Sequence, residues 1–143
     1  MSISRDKEIP RPSCGKNQKV TVWSTINITA DPSLREYLFN GEINLFQCVN
    51  CEFKGFLPVP LLYHDMKRKF CVQYFPYESI KEKDFLGQFT KDGQIIEPDF
   101  ARPIPQIQRQ RSGYLLKPHI VFDLNEMIRY VHFREKLHKR RKA

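Results

Sequence analysis

The 143-residue chain is poor in what a transmembrane or secreted protein needs and in what most enzymes need. No apolar run approaches the ~20 residues that span a bilayer. Met1 to Pro12 is polar and charged, with no apolar stretch of the kind a secretory signal carries. There is no glycine-rich phosphate loop, no H-E-x-x-H pair and no serine with an evident catalytic partner. Cysteine is limited to four residues. In a chain without an export signal they read as thiols or metal ligands, not as a disulfide framework, and the expected location is the cytoplasm. Acid is scarce at one end. Arg134 to Ala143 contains six basic residues and a single acid, Glu135, and so holds +5 of the chain's net +8. Basicity is therefore a property of the C-terminus, and any argument for an acidic partner rests there.

What is present suits one folded domain. Hydrophobic residues make up 41% and aromatics 13%, enough for a modest core. Met1 to Arg11 reads as a flexible arm. Lys19 to Thr29 alternates, with Val20, Val22, Ile26 and Ile28 on one face, and predicts a half-buried strand. Asp31-Pro32 opens a short helix over Pro32 to Asn40, with Asp31 as its cap and Gly41 as its stop. Ile43 to Gln47 is a second strand. Phe53 to Tyr63 is a third, interrupted by Pro58 and Pro60, which must therefore lie at an edge or bulge. His64 to Lys67 reads as a polar turn, and Lys69 to Phe75 as the returning strand of an antiparallel meander. Tyr114 to Leu116 and Ile120 to Phe122 look extended. Asp123-Leu124-Asn125-Glu126 is a variant capping box ahead of an apolar stripe, Leu124, Met127, Ile128 and Val131, at helical spacing.

The expected architecture is α+β: a small antiparallel sheet with a degenerate zinc-ribbon-like knuckle, one short helix and a C-terminal helix. Its boundaries are an arm at 1–11, a domain at 12–133 with an irregular proline-rich connector at about 97–111, and a basic tail at 134–143 continuing the last helix.

Cys48-Val49-Asn50-Cys51 is a C-x-x-C pair at the end of a strand, the spacing that lets two thiolates converge on one zinc ion. Upstream, Arg11-Pro12-Ser13-Cys14-Gly15-Lys16 looks like a Cys-Pro-x-Cys-Gly-Lys knuckle with arginine in the first ligand position. On these residues the chain resembles the prokaryotic CpXC family. The likeness continues through Thr21-Val22-Trp23-Ser24, Asn27-Ile28-Thr29, Asp31-Pro32-Ser33-Leu34 and Asn40-Gly41-Glu42-Ile43. It goes on to Pro60-Leu61-Leu62-Tyr63-His64-Asp65-Met66 and Lys69-Phe70, and returns at Asp123-Leu124-Asn125-Glu126. About half the chain is covered. The resemblance implies a zinc-ribbon-like domain with Cys14, Cys48 and Cys51 as ligands, and it points to no particular activity, because the family's own role is not established. Arg11 cannot ligate because it stays protonated. Three completions are open: a fourth ligand from Cys71 or His64, a water, or loss of the metal.

Each other candidate has a plainer reading beside the functional one. Cys71, between Phe70 and Val72, is a buried small hydrophobe or a nucleophile with His64 as base. His64-Asp65 is turn chemistry or a dyad. Trp23 packs in a strand or stacks on a base. Lys136, Lys139, Arg140, Arg141 and Lys142 are a solvated helix end or a phosphate-contacting cluster. The expected function is a non-enzymatic accessory subunit that docks on a protein or ribonucleoprotein assembly, with its basic tail on RNA or an acidic surface. The rivals are a small zinc- or Cys/His-dependent enzyme and a subunit held by apolar contacts in a larger, membrane-associated complex.

Overall fold

A computed structural model describes residues 2–10, 17–48, 54–94, 96, 114 and 117–142, with backbone alone at 141 and 142. Strands β1 (Ile3–Pro10), β2 (Asn17–Asn27), β5 (Leu61–Asp65), β6 (Phe70–Tyr74) and β7 (His119–Val121) form one sheet in the order β1-β2-β5-β6-β7. Strands β3 (Leu45–Gln47) and β4 (Lys54–Phe56) pair separately. Helix α1 (Ser33–Phe39) lies between β2 and β3, and α2 (Leu124–Lys142) closes the chain.

The sheet is mixed, which corrects the expected antiparallel meander. β1 runs antiparallel to β2, and β5 to β6, but β2 pairs with β5 and β6 with β7 in parallel. Parallel neighbours need a long crossover. The first carries α1 and the β3–β4 pair. The second carries two single-turn 3-10 helices, Tyr77–Lys81 and Leu86–Gln88.

The expected arm is a further correction, because Ile3–Pro10 is an edge strand in register with Asn17–Thr25 of β2. The expected strand from Phe53 to Tyr63 divides into β4 and β5, with Pro58 and Pro60 in the gap, where no ladder needs their missing N–H groups. The expected turn at His64 starts two residues later, since His64 and Asp65 complete β5. The knuckle itself and the 97–111 connector fall outside the described residues.

Residues opposite one another in a ladder share a face. Ile26, Tyr63 and Val72 therefore point to one side, joined by Leu61 and Val121. Leu34 and Leu38 of α1 and Met127 and Val131 of α2 pack on them as the main core. Met127 and Val131 are wholly buried, and each such side chain stabilises the fold by roughly 1.5–3 kcal/mol. A smaller core gathers Val22, Phe46, Cys48 and Leu57 near the other end of β2.

Local chemistry fixes the joints. Asn44, at φ +54, is buried, and its side chain takes the place of a strand beside Trp23. Its Oδ1 accepts from the Trp23 N–H at 2.7 Å and its Nδ2 donates to the Trp23 carbonyl at 2.9 Å. Asparagine tolerates the left-handed backbone that this requires. Gly41, at φ +72, stops α1 as expected. Asp31 contributes its carbonyl to Leu34, and no side-chain cap forms. Asp123 does cap α2, its Oδ1 accepting from the Asn125 N–H at 2.7 Å.

Candidate functional sites

The basic C-terminus is a regular helix to Lys142. Its first half is anchored by Met127 and Val131, and its second half carries Lys136, Lys139 and Arg140 into solvent. Arg141 and Lys142 continue its backbone. Glu135 is held by Arg35 of α1 through two bonds, Nε to Oε2 at 2.7 Å and Nη2 to Oε1 at 2.8 Å. That charged bond is the main reason the Arg35 guanidinium is raised above its usual range. Arg68, in the β5–β6 turn, is held by Asp65, which is completely buried. Asp65 accepts from the Arg68 backbone N–H and from its Nη1, both at 2.9 Å. The expected turn chemistry thus belongs to Asp65 alone. The buried Tyr63 hydroxyl, which feels the charges of both ion pairs, has no hydrogen-bond partner among the described residues. Burial raises its pKa first, and the negative charges of Glu135 and Asp65 add to the effect.

The opposite face of the sheet brings His64 and Cys71 together as direct cross-strand partners. Tyr114 bridges them. Its hydroxyl lies 2.8 Å from His64 Nε2, and its carbonyl accepts from the Cys71 Sγ–H at 3.3 Å. Burial pushes the Cys71 thiol up to about 12 and lowers the His64 imidazole. A nucleophilic cysteine needs the reverse, a depressed pKa and an imidazole ready to take its proton. Cys71 and Tyr114 face a cavity of about 290 Å³ at the Phe70 end of β6, with Lys69, Lys117 and Arg134 around it.

The family model described as CpXC protein matches residues 9–141. The chain belongs to the CpXC family. No curated protein and no solved structure matches it. Of the expected ligands, Cys48 is described; Cys14 and Cys51, like Arg11, lie outside the described residues. Cys48 is buried just past the end of β3, against Phe46 and Leu57. A thiolate at the end of a short hairpin strand suits zinc, although no three His, Cys, Asp or Glu side chains converge among the described residues. His64 pairs with Asn27, which stands five residues along β2 from Val22 in the Cys48 cluster, or ~16 Å at the usual rise per residue. Cys71 and His64 therefore occupy a different stretch of the sheet from Cys48.

No helix of the described residues is long and apolar enough to cross a membrane. Three contributors escaped sequence reading: Arg35, Arg68 and Tyr114. Arg35 stands 100 residues from Glu135, and Tyr114 stands 50 from His64. Neither pairing leaves a local pattern.

Proposed function

We propose that this CpXC protein is a non-enzymatic accessory module that docks on a ribonucleoprotein through the basic face of α2, with zinc as a structural ion at Cys14, Cys48 and Cys51. The observation that carries the reading is the continuity of α2. Its anchored first half holds the cations of the second at fixed helical positions, so they act as a surface and lose less entropy on binding than a disordered tail would. The raised thiol of Cys71 and the engagement of His64 by Tyr114 support a binding role over catalysis. The test is binding of a single-stranded RNA oligonucleotide as a function of salt. Neutralised phosphates release counterions, so affinity should fall steeply as salt rises, with a slope set by the number of contacts. Deleting Arg140 to Ala143 should flatten that slope by roughly 0.7 of a unit for each phosphate-contacting cation removed. An affinity independent of salt, or a slope untouched by the deletion, would remove the docking role. Binding of an acidic polypeptide in preference to RNA would move the partner to a protein surface.

A further inference from the structure

The cleft between α1, the β5–β6 turn and α2 has a volume of about 450 Å³, within the ~300–1,000 Å³ typical of small-ligand sites. Three separate stretches of chain supply its cations: Arg35, Arg68, and the pair Lys136 and Lys139. His132 adds a further donor on the same helix. Residues 132, 136 and 139 are spaced to share one helix face.

The acids nearby are already committed. Glu135 gives both oxygens to Arg35, and Asp65 lies beneath the floor with Arg68. Arg35 holds a second carboxylate as well, Glu36 at 2.6 Å, and Arg68 offsets Asp65, so Lys136 and Lys139 are the cations of the site that have no ion pair among the described residues. Arg68 is the anchor. A buried carboxylate fixes its fork from behind. Among the described residues, Nη1 alone of the guanidinium nitrogens is engaged, and the buried Nε has no partner.

The lining also says what part of a ligand is recognised. Its described residues include no tryptophan, tyrosine or phenylalanine, so the cleft offers no platform for stacking a base. A positioned guanidinium flanked by two ammonium groups suits a compact, multiply charged anion with several acceptor oxygens. We propose that this cleft is a phosphate-binding site, taking a doubly charged phosphate group between Arg68, Lys136 and Lys139. The inference rests on α2 being a binding surface, and it gives that surface a built pocket in addition to its spread of charge.

The experiment is an amide NMR titration of the full chain with pyrophosphate at constant ionic strength, with sulfate as the comparison anion. Saturable shifts are expected at Arg35, Arg68 and 132–139, with sulfate binding more weakly. Arg68→Gln should weaken pyrophosphate roughly tenfold or more, the scale of one charged hydrogen bond. That variant leaves Asp65 without its guanidinium and could lose stability. The double variant Lys136→Gln/Lys139→Gln, which keeps the Arg68–Asp65 pair, is therefore measured beside it and should also weaken binding.

Shifts that never saturate, or an affinity unchanged in the lysine variant, overturn the site. Competition by a 5′-phosphorylated but not a 5′-hydroxyl oligonucleotide assigns the phosphate to a nucleic-acid end. Competition by neither assigns it to a small phosphate compound. Competition by both equally shows attraction to backbone charge alone and overturns the pocket. Removal of Arg140 to Ala143 separates this inference from the docking role: pyrophosphate binding should survive it while the salt slope for RNA falls. RNA binding that persists in Arg68→Gln, with no pyrophosphate site in the natural chain, leaves docking standing and removes the pocket.

Discussion

Arg35 and Glu135 join the two helices through a two-pronged ion pair, with bonds of 2.7 and 2.8 Å. The side chains are 29% and 13% exposed, so the pair is screened far less than a surface contact. Glu135→Ala should lower stability by about 2 kcal/mol, between the worth of an exposed pair and that of a fully buried one. Urea denaturation checks this: the midpoint should fall with the slope unchanged. Lys19→Ala is the contrast. The Lys19–Asp6 pair is 71% and 55% exposed, and its loss should be close to neutral. Equal losses in both variants would mean that Arg35 and Glu135 do not join the helices energetically.

Elements whose packing imposes a period were legible in the sequence. β2, α1 and the start of α2 bury one face each, so their apolar spacing announces them, and β6 shows as a short apolar run between turn residues because both its faces are covered at Phe70 to Val72. β1 buries almost nothing; its residues are exposed except for a partly buried Ile9. An edge strand with both faces in water has no alternation to read. Strand direction was also hidden, because the faces of β5 and β7 look the same whether their neighbours run parallel or antiparallel. The candidate sites divide in the same way. Lys136, Lys139 and Arg140 were visible as a run of charge. Arg68 and Tyr114 became partners only through the turn and crossover that folding supplies.

Cys71 should be inert in the folded protein. Its thiol is buried and donates to the Tyr114 carbonyl. A pKa pushed up to about 12 leaves almost no thiolate at neutral pH. In a chain with the other three cysteines replaced by serine, a thiol-exchange reagent should react with Cys71 only as fast as the protein opens. Adding denaturant should accelerate the reaction sharply. Rapid modification at neutral pH without denaturant would show an accessible thiolate and revive the Cys/His enzyme.

The histidines set the acid side of the stability profile. Burial lowers the folded pKa of His64, and burial, aided by Arg134, lowers that of His119. A lowered folded pKa means that the unfolded chain takes up the proton first. The contribution of these groups is therefore complete above the ordinary histidine value of ~6.5 and is lost as the pH falls from there through the folded values. Thermal midpoints measured downward from neutral pH should decline over that window. His64→Gln should flatten the decline, leaving the part due to His119. An unchanged pH profile in His64→Gln would show that His64 titrates alike in both states.

β1 is built to refuse a copy of itself. Arg5 and Lys7 lie on one face and Asp6 and Glu8 on the other, since side chains alternate along a strand. Two copies pairing antiparallel about a two-fold axis set each face against its own kind, so cation meets cation and acid meets acid. Like charges directly opposed are destabilising, a known protection of sheet edges. Replacing Arg5, Asp6, Lys7 and Glu8 together with threonine should permit concentration-dependent self-association, measured by sedimentation velocity. A variant that sediments as the natural chain does at every concentration would show that the charge pattern guards nothing.

Arg11 stands where the resemblance to a Cys-Pro-x-Cys-Gly-Lys knuckle would put a first cysteine, and this gives the metal question a direct handle. Three cysteines can supply three thiolates, and arginine adds none because it stays protonated. Arg11→Cys would add a fourth thiolate in C-x-x-C spacing with Cys14, the arrangement of a closed structural zinc site. The variant should therefore hold zinc more tightly than the natural chain, by elemental analysis after purification without chelator and by competition with a zinc-sensitive dye. Its thermal midpoint should rise with zinc and fall with chelator, because metal bound to the native state adds directly to folding stability. Cys48→Ser in the same background should remove both effects, since Cys48, buried just past the end of β3, is the one expected ligand among the described residues. If Arg11→Cys gains no zinc while the natural chain already holds one ion per molecule, a residue other than position 11 completes the site. The ~16 Å offset along β2 makes His64 and Cys71 poor candidates for that role beside Cys48, and a water or a residue near Cys14 and Cys51 becomes the better one.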